Sequence, residues 1–144
     1  MEGFENLDKE ERQQLLNYPV YVSLLASNTD GGADEREKEE AVHLTHLKTF
    51  SGDPLLRDYF REAELQFSAR LSELNEELPK EKFAREAALK SELKKIEGVL
   101  TKVDERYSRA LHKSMRSYAQ HVSHAHRNVL EWFLIPFYIK GLTD

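Results

Sequence analysis

The feature that most constrains this chain is a run of more than fifty residues, Lys80 to Phe133, with no proline and one glycine, Gly98. Within it Leu93, Ile96, Leu100, Val103, Tyr107 and Ala110 recur at alternating intervals of three and four. That is a heptad-like apolar seam along one face of a helix. The pattern continues through Leu111, Met115, Tyr118, Val122, Ala125, Val129 and Phe133, gaining a step in the manner of a stutter. As a single helix the run would be about 75–80 Å long at 1.5 Å per residue, too long for a compact domain of 144 residues. It must project or bend, and composition marks Gly98 for a bend. If it stays straight, the shorter helical pattern before it covers only part of the seam. The expectation is then a homodimer or a complex with a protein partner.

The rest of the chain also reads as helix. Leu, Ala, Glu, Lys and Arg dominate, with six glycines and four prolines in all, and such a composition favours long helices over a sheet. A first helix is predicted over 6–16 with Asn6 as its N-cap. "NYP" at 17–19 breaks it, because the residue before proline is pushed out of the helical region, and Pro19 suits the first turn of a second helix. That helix, "PVYVSLLAS", is apolar nearly all round, as expected of a helix buried at the centre of a fold. A glycine corner, "NTDGG", leads to a third helix starting near Asp34, with Glu35 and Glu37 in its first turn. "SGDP" at 51–54 stops it. A fourth helix is predicted over 54–78 from Leu55, Leu56, Tyr59, Phe60, Ala63, Phe67, Leu71, Leu74 and Leu78, with Pro79 ending it. The fold class is all-α: one helical-bundle domain over 1–144, its first half spanning 1–52 and a long helical pair with an apolar C-terminal segment spanning 53–144.

Charge and composition narrow the function classes. The net charge is −5 and the pI about 5.7, the wrong sign for a phosphate-backbone binder, so no nucleic-acid partner is expected. There is no cysteine, which excludes disulfides and thiolate sites. The N-terminus, "MEGFENLDKEERQQ", lacks the features of a signal peptide. The most apolar stretch, Val129–Ile139, is about half the ~20 residues a bilayer requires and contains Glu131 and Pro136. No transmembrane segment and a cytoplasmic location are the expectations.

The corner and its flanks carry a resemblance. Ala26 ends an apolar helix; Asp30-Gly31 follows, then Ala33, Asp34 and Glu37. Over residues 18–50 this pattern resembles the TerB-like domains, the all-helical family named for tellurite resistance. The family has an aliphatic residue where this chain has Ala33, and its minimal pattern has no counterpart of the long C-terminal half. The resemblance implies a helical bundle acting in stress response or as a scaffold, with no established catalytic chemistry.

Several constellations could carry chemistry. Asp30, Asp34 and Glu37 offer carboxylate oxygens suited to a hard cation. Placing Gly31 at the sixth position of a calcium loop leaves Ala26 at the first, where a ligand is required, so the simpler reading is a turn, an N-cap and dipole-stabilising acids. Glu40 and His43 form the one Glu-x-x-His of the chain, whereas a di-iron bundle needs two. The pairs His43/His46 and His121/His124 could each chelate, but the helical wheel spreads them about the core boundary. Arg106, Arg109, Lys113, Arg116 and Arg127 form a basic run, read as a solvated face paired with acidic helices or as an anion stripe. Trp132, Phe133, Leu134, Ile135, Phe137, Tyr138 and Ile139 require cover, within the bundle or on a partner. No nucleophile–base arrangement and no phosphate loop stands out, so no catalytic or cofactor-binding residue is assigned and the protein is not expected to be an enzyme. The leading expectation is a non-enzymatic interaction or scaffold protein. The alternative is a metal-binding helical bundle using the acidic corner or the histidines.

Overall fold

The computed structural model describes residues 3–26 and 53–122. Among them the chain forms five α-helices and a short 3₁₀ turn, with no strand. The helices are α1 (Lys9–Leu16), α2 (Tyr18–Ala26), α3 (Arg57–Glu77), α4 (Lys82–Leu100) and α5 (Glu105–Val122), with the 3₁₀ turn at Pro54–Leu56 ahead of α3. The all-α class is as expected. The glycine corner and the predicted third helix lie outside the described residues, as do the C-terminal aromatic segment and Asp30, Asp34 and Glu37. No described helix is long and apolar enough to cross a membrane.

α1 starts two residues later than Asn6 would have it. Its cap is Asp8, whose carboxylate accepts the Glu11 N–H at 2.8 Å, while the Glu11 carboxylate accepts the Asp8 N–H at 3.1 Å. This reciprocal box satisfies two donors at once, which a lone Asn6 cap would not. The break at 17–19 is one residue wide: Asn17 keeps a helical conformation, and Pro19 lies in the first turn of α2 as predicted.

α2 is the centre of the bundle. It packs against α1, α3, α4 and α5. Val22, Leu24 and Leu25 are wholly buried. A helix with apolar side chains on every face can satisfy them only in this position. Its serine is answered internally: Ser23 Oγ donates to the Pro19 carbonyl at 2.8 Å and accepts from the Tyr118 hydroxyl of α5 at 2.7 Å.

Asp53 accepts the Leu55 N–H at 2.9 Å and so caps the 3₁₀ turn; α3 proper begins only at Arg57. Tyr59, Phe60, Ala63, Phe67, Leu71 and Leu74 form its buried stripe. Leu78 turns extended before Pro79, ending the helix where the proline predicts.

The long run does not form one helix, and Gly98 does not mark the bend. Gly98 stays inside α4, and a Cβ there would meet nothing within 4 Å. The chain leaves the helix at 101–104. The Lys102 and Val103 N–H groups reach back only three residues, to the Val99 and Leu100 carbonyls at 2.9 and 3.2 Å, the tightening typical of a helix end. Asp104 then starts α5: its carboxylate accepts the Arg106 N–H at 3.0 Å and its carbonyl accepts the Ser108 N–H at 2.9 Å. Ser108 Oγ donates to the Leu100 carbonyl at 2.7 Å, stitching the two helices across the turn.

The chain's beginning closes this turn. The Asp104 N–H donates to the Gly3 carbonyl at 3.1 Å, and the Phe4 ring stacks on Tyr59 and meets Tyr107 edge-on at centroid distances of 6.2 and 5.9 Å. Gly3 has φ +85°, and a Cβ there would lie 2.5 Å from the Tyr107 ring, so both backbone and space call for glycine. With the helix folded back, Leu93, Ile96, Leu100, Val103 and Tyr107 are all buried within a single chain. The seam needs no second copy to cover it.

Candidate functional site

Two features stand out from ordinary packing. The first is an open groove of ≈ 750 Å³ between the 3₁₀ turn and the first half of α5. Leu55 and Ala110 give it an apolar floor, and Arg106, Arg109 and Lys113 line it at helical intervals of three and four. The acids at its rim are already engaged. Asp53 and Asp104 hold backbone N–H groups, and Glu105 pairs with Arg109 at 2.7 Å on its own helix. Arg106 lies over the Tyr107 ring, 5.5 Å from its centroid, which leaves the guanidinium edge available. Among the described residues neither Arg106 nor Lys113 has an acidic partner within ion-pair distance. The structure thus brings three members of the predicted basic run into one groove. Arg127 and the predicted third helix, one of the acidic helices expected to pair with the run, lie outside the described residues.

The second is a polar cluster inside the bundle that sequence reasoning missed. Glu97 of α4 is only 5 % exposed, and both its carboxylate oxygens are buried without a hydrogen bond. His112 of α5 places Nδ1 3.9 Å from Glu97 Oε1, an ion-pair distance and not a hydrogen bond. The Tyr18 hydroxyl of α2 is also buried with no partner. Burial pushes the Glu97 carboxyl up to about 7. Burial, and then the nearby Arg116 charge, lower the His112 imidazole. Burial, with the Glu97 charge behind it, raises the Tyr18 phenol well above its usual range. The signal for Glu97 was available: Leu89, Leu93 and Glu97 are spaced by four, which sets the acid in an apolar row. For His112 the neighbouring sequence carries no such mark.

Among the described residues no group of three or more His, Asp or Glu side chains converges as a metal ligand set would. His43, His46, His124 and His126 lie outside those residues, as does the side chain of His121. No protein-family model, curated protein or solved structure matches the chain.

Proposed function

We propose that this chain is a non-enzymatic interaction module, a scaffold of the TerB-like kind, whose α5 groove docks an acidic segment of a protein partner. The observation that carries the reading is a row of cations over an apolar floor: Arg106, Arg109 and Lys113 line the groove with Leu55 and Ala110. Among the described residues neither Arg106 nor Lys113 is ion-paired, and the acids at the rim, Asp53, Asp104 and Glu105, are held by backbone N–H groups or by Arg109. In a chain of net charge −5 such a local cationic strip favours acids from a partner over the chain's own surface. Apolar side chains spaced among those acids would meet the floor. A second copy of the chain, itself acidic, is one source of such a segment. The reading assigns no reaction to the protein.

The test is fluorescence anisotropy with a labelled peptide of alternating glutamates and leucines. Saturable binding is expected, weakening as salt is raised. It should be lost in Arg106→Glu/Lys113→Glu with helix content unchanged. Absence of saturable binding, or equal binding by the double variant, overturns the reading. Sedimentation of the wild-type protein separately shows whether a second copy is the partner.

A further inference from the structure

Glu97 is the one buried acid among the described residues, and the groove has no use for it. An ionised carboxylate with both oxygens dry and unbonded is among the least tolerable groups in a protein interior. A neutral carboxyl removes the charge and gives the cluster one donor, which His112 Nδ1 can accept after a shift of about an ångström. Tyr18, the other hydroxyl near the acid, is itself buried and keeps its own proton.

We propose that Glu97 and His112 form a buried one-proton latch between α4 and α5: the pair holds a single proton while the helices are closed, and losing it to solvent loosens α5. The His112 side chain keeps 18 % of its surface exposed and that of Glu97 only 7 %, with both carboxylate oxygens buried, so His112 is the route by which that proton reaches water. Charged and titratable groups approach the pair from the neighbouring helices. From α2 comes Tyr18, with Tyr59 of α3 beside it; from α5 come His112 and Arg116. From α1, which also packs on α4, comes Arg12, whose Nε is buried without a hydrogen bond. Among the described residues only His112 comes within 4 Å of the acid as a cation. Arg116 disfavours a proton on the imidazole, which keeps it on the carboxyl. Because α5 also carries Arg106, Arg109 and Lys113, opening the latch would disturb the groove at the same time.

The protonation states have a definite sign. The folded carboxyl holds a proton that the unfolded one releases above about pH 4.5, so alone it makes the fold lose stability as pH rises from 4.5 to about 7. The folded imidazole refuses a proton that the unfolded one takes below 6.5, so alone it makes the fold lose stability as pH falls below 6.5. Wherever between about 4.5 and 6.5 the folded imidazole stays neutral, the folded and unfolded chains each hold one proton on the pair, on different atoms, and the two slopes cancel.

The experiment is denaturant unfolding of wild type, Glu97→Gln and His112→Gln between pH 5 and 8, each variant compared with wild type at every pH. Relative to wild type, Glu97→Gln should gain stability as pH rises, and His112→Gln should lose it. In His112→Gln, where no imidazole offsets the carboxyl, amide exchange in α5, corrected for its intrinsic rate, should quicken by up to about tenfold per pH unit as pH rises from 5 to about 7 and level off above it, and not in Glu97→Gln. Parallel profiles for all three proteins, or the same pH dependence of exchange in His112→Gln and Glu97→Gln, overturn the proposal. If Glu97→Gln does not fold, exchange in His112→Gln decides alone: no quickening of α5 between pH 5 and about 7 overturns it.

Discussion

Arg85 and Glu97 sit near opposite ends of α4, and both are buried, but the bundle treats them differently. The Arg85 guanidinium donates to the Asn75 and Pro79 carbonyls at 3.3 Å each and to the Asn75 side chain, and only its Nε stays bare. It ties off the C-terminal end of α3 and fixes the turn into α4. Its buried charge is answered by carbonyl dipoles, so it reads as structure. Glu97 has no answering donor on either oxygen, and its buried charge is avoided by holding a proton. Burial alone therefore does not mark a group for function; burial without partners does.

The largest effect should come from breaking the satisfied member. Arg85→Ala removes three hydrogen bonds, takes their donor from the Pro79 carbonyl and the Asn75 side chain, and leaves a void, at a cost of roughly 3–5 kcal/mol in chemical denaturation. Arg85→Met should recover part of that by restoring volume. A loss under about 1 kcal/mol for the alanine variant would mean that Arg85 is not a strut. Leu25, wholly buried on α2, supplies the apolar reference: Leu25→Ala should cost about 2–5 kcal/mol, and by the same amount at pH 5 and pH 7. Against that flat reference, Glu97→Gln should shift by roughly 2–3 kcal/mol relative to wild type between those two pH values, the linkage value of a carboxyl moved from 4.5 to about 7. The smallest effect belongs to the closure of the α4–α5 turn. Gly3→Ala sets a Cβ against the Tyr107 ring at a positive φ and should cost about 1–2 kcal/mol; a neutral result would mean that the chain's first residues do not hold the turn.

What could be read from the sequence divides along the same line. α2 was legible because a segment apolar on every face has one place to go. The end of α3 was legible because Pro79 forbids continuation. The α4–α5 turn was not, because it contains neither proline nor glycine. It is made by a short cap at Asp104 and by the Gly3 carbonyl, a contact between residues far apart in the chain. Val103 within it and Tyr107 just beyond it stay buried, so the three-and-four spacing runs through the break and imitates one long helix. Asp8 and Glu11 spelled out a capping box three residues apart, a stronger signal than Asn6. Arg85 and Glu97 were passed over because charged residues default to solvent, although both share a four-residue spacing with Leu89 and Leu93. The groove was half legible: the cations were visible, but which acids were already engaged depends on caps formed only in the fold.

The most direct measurement is a carbon-13 titration of the Glu97 carboxyl in labelled wild-type protein, assigned by its absence in Glu97→Gln. A midpoint near pH 7, with the His112 imidazole neutral through the same range, is the expected result. A midpoint near 4.5, the ordinary value for a solvated glutamate, would show that the carboxyl is ionised throughout, and the distinction drawn between Arg85 and Glu97 would be wrong.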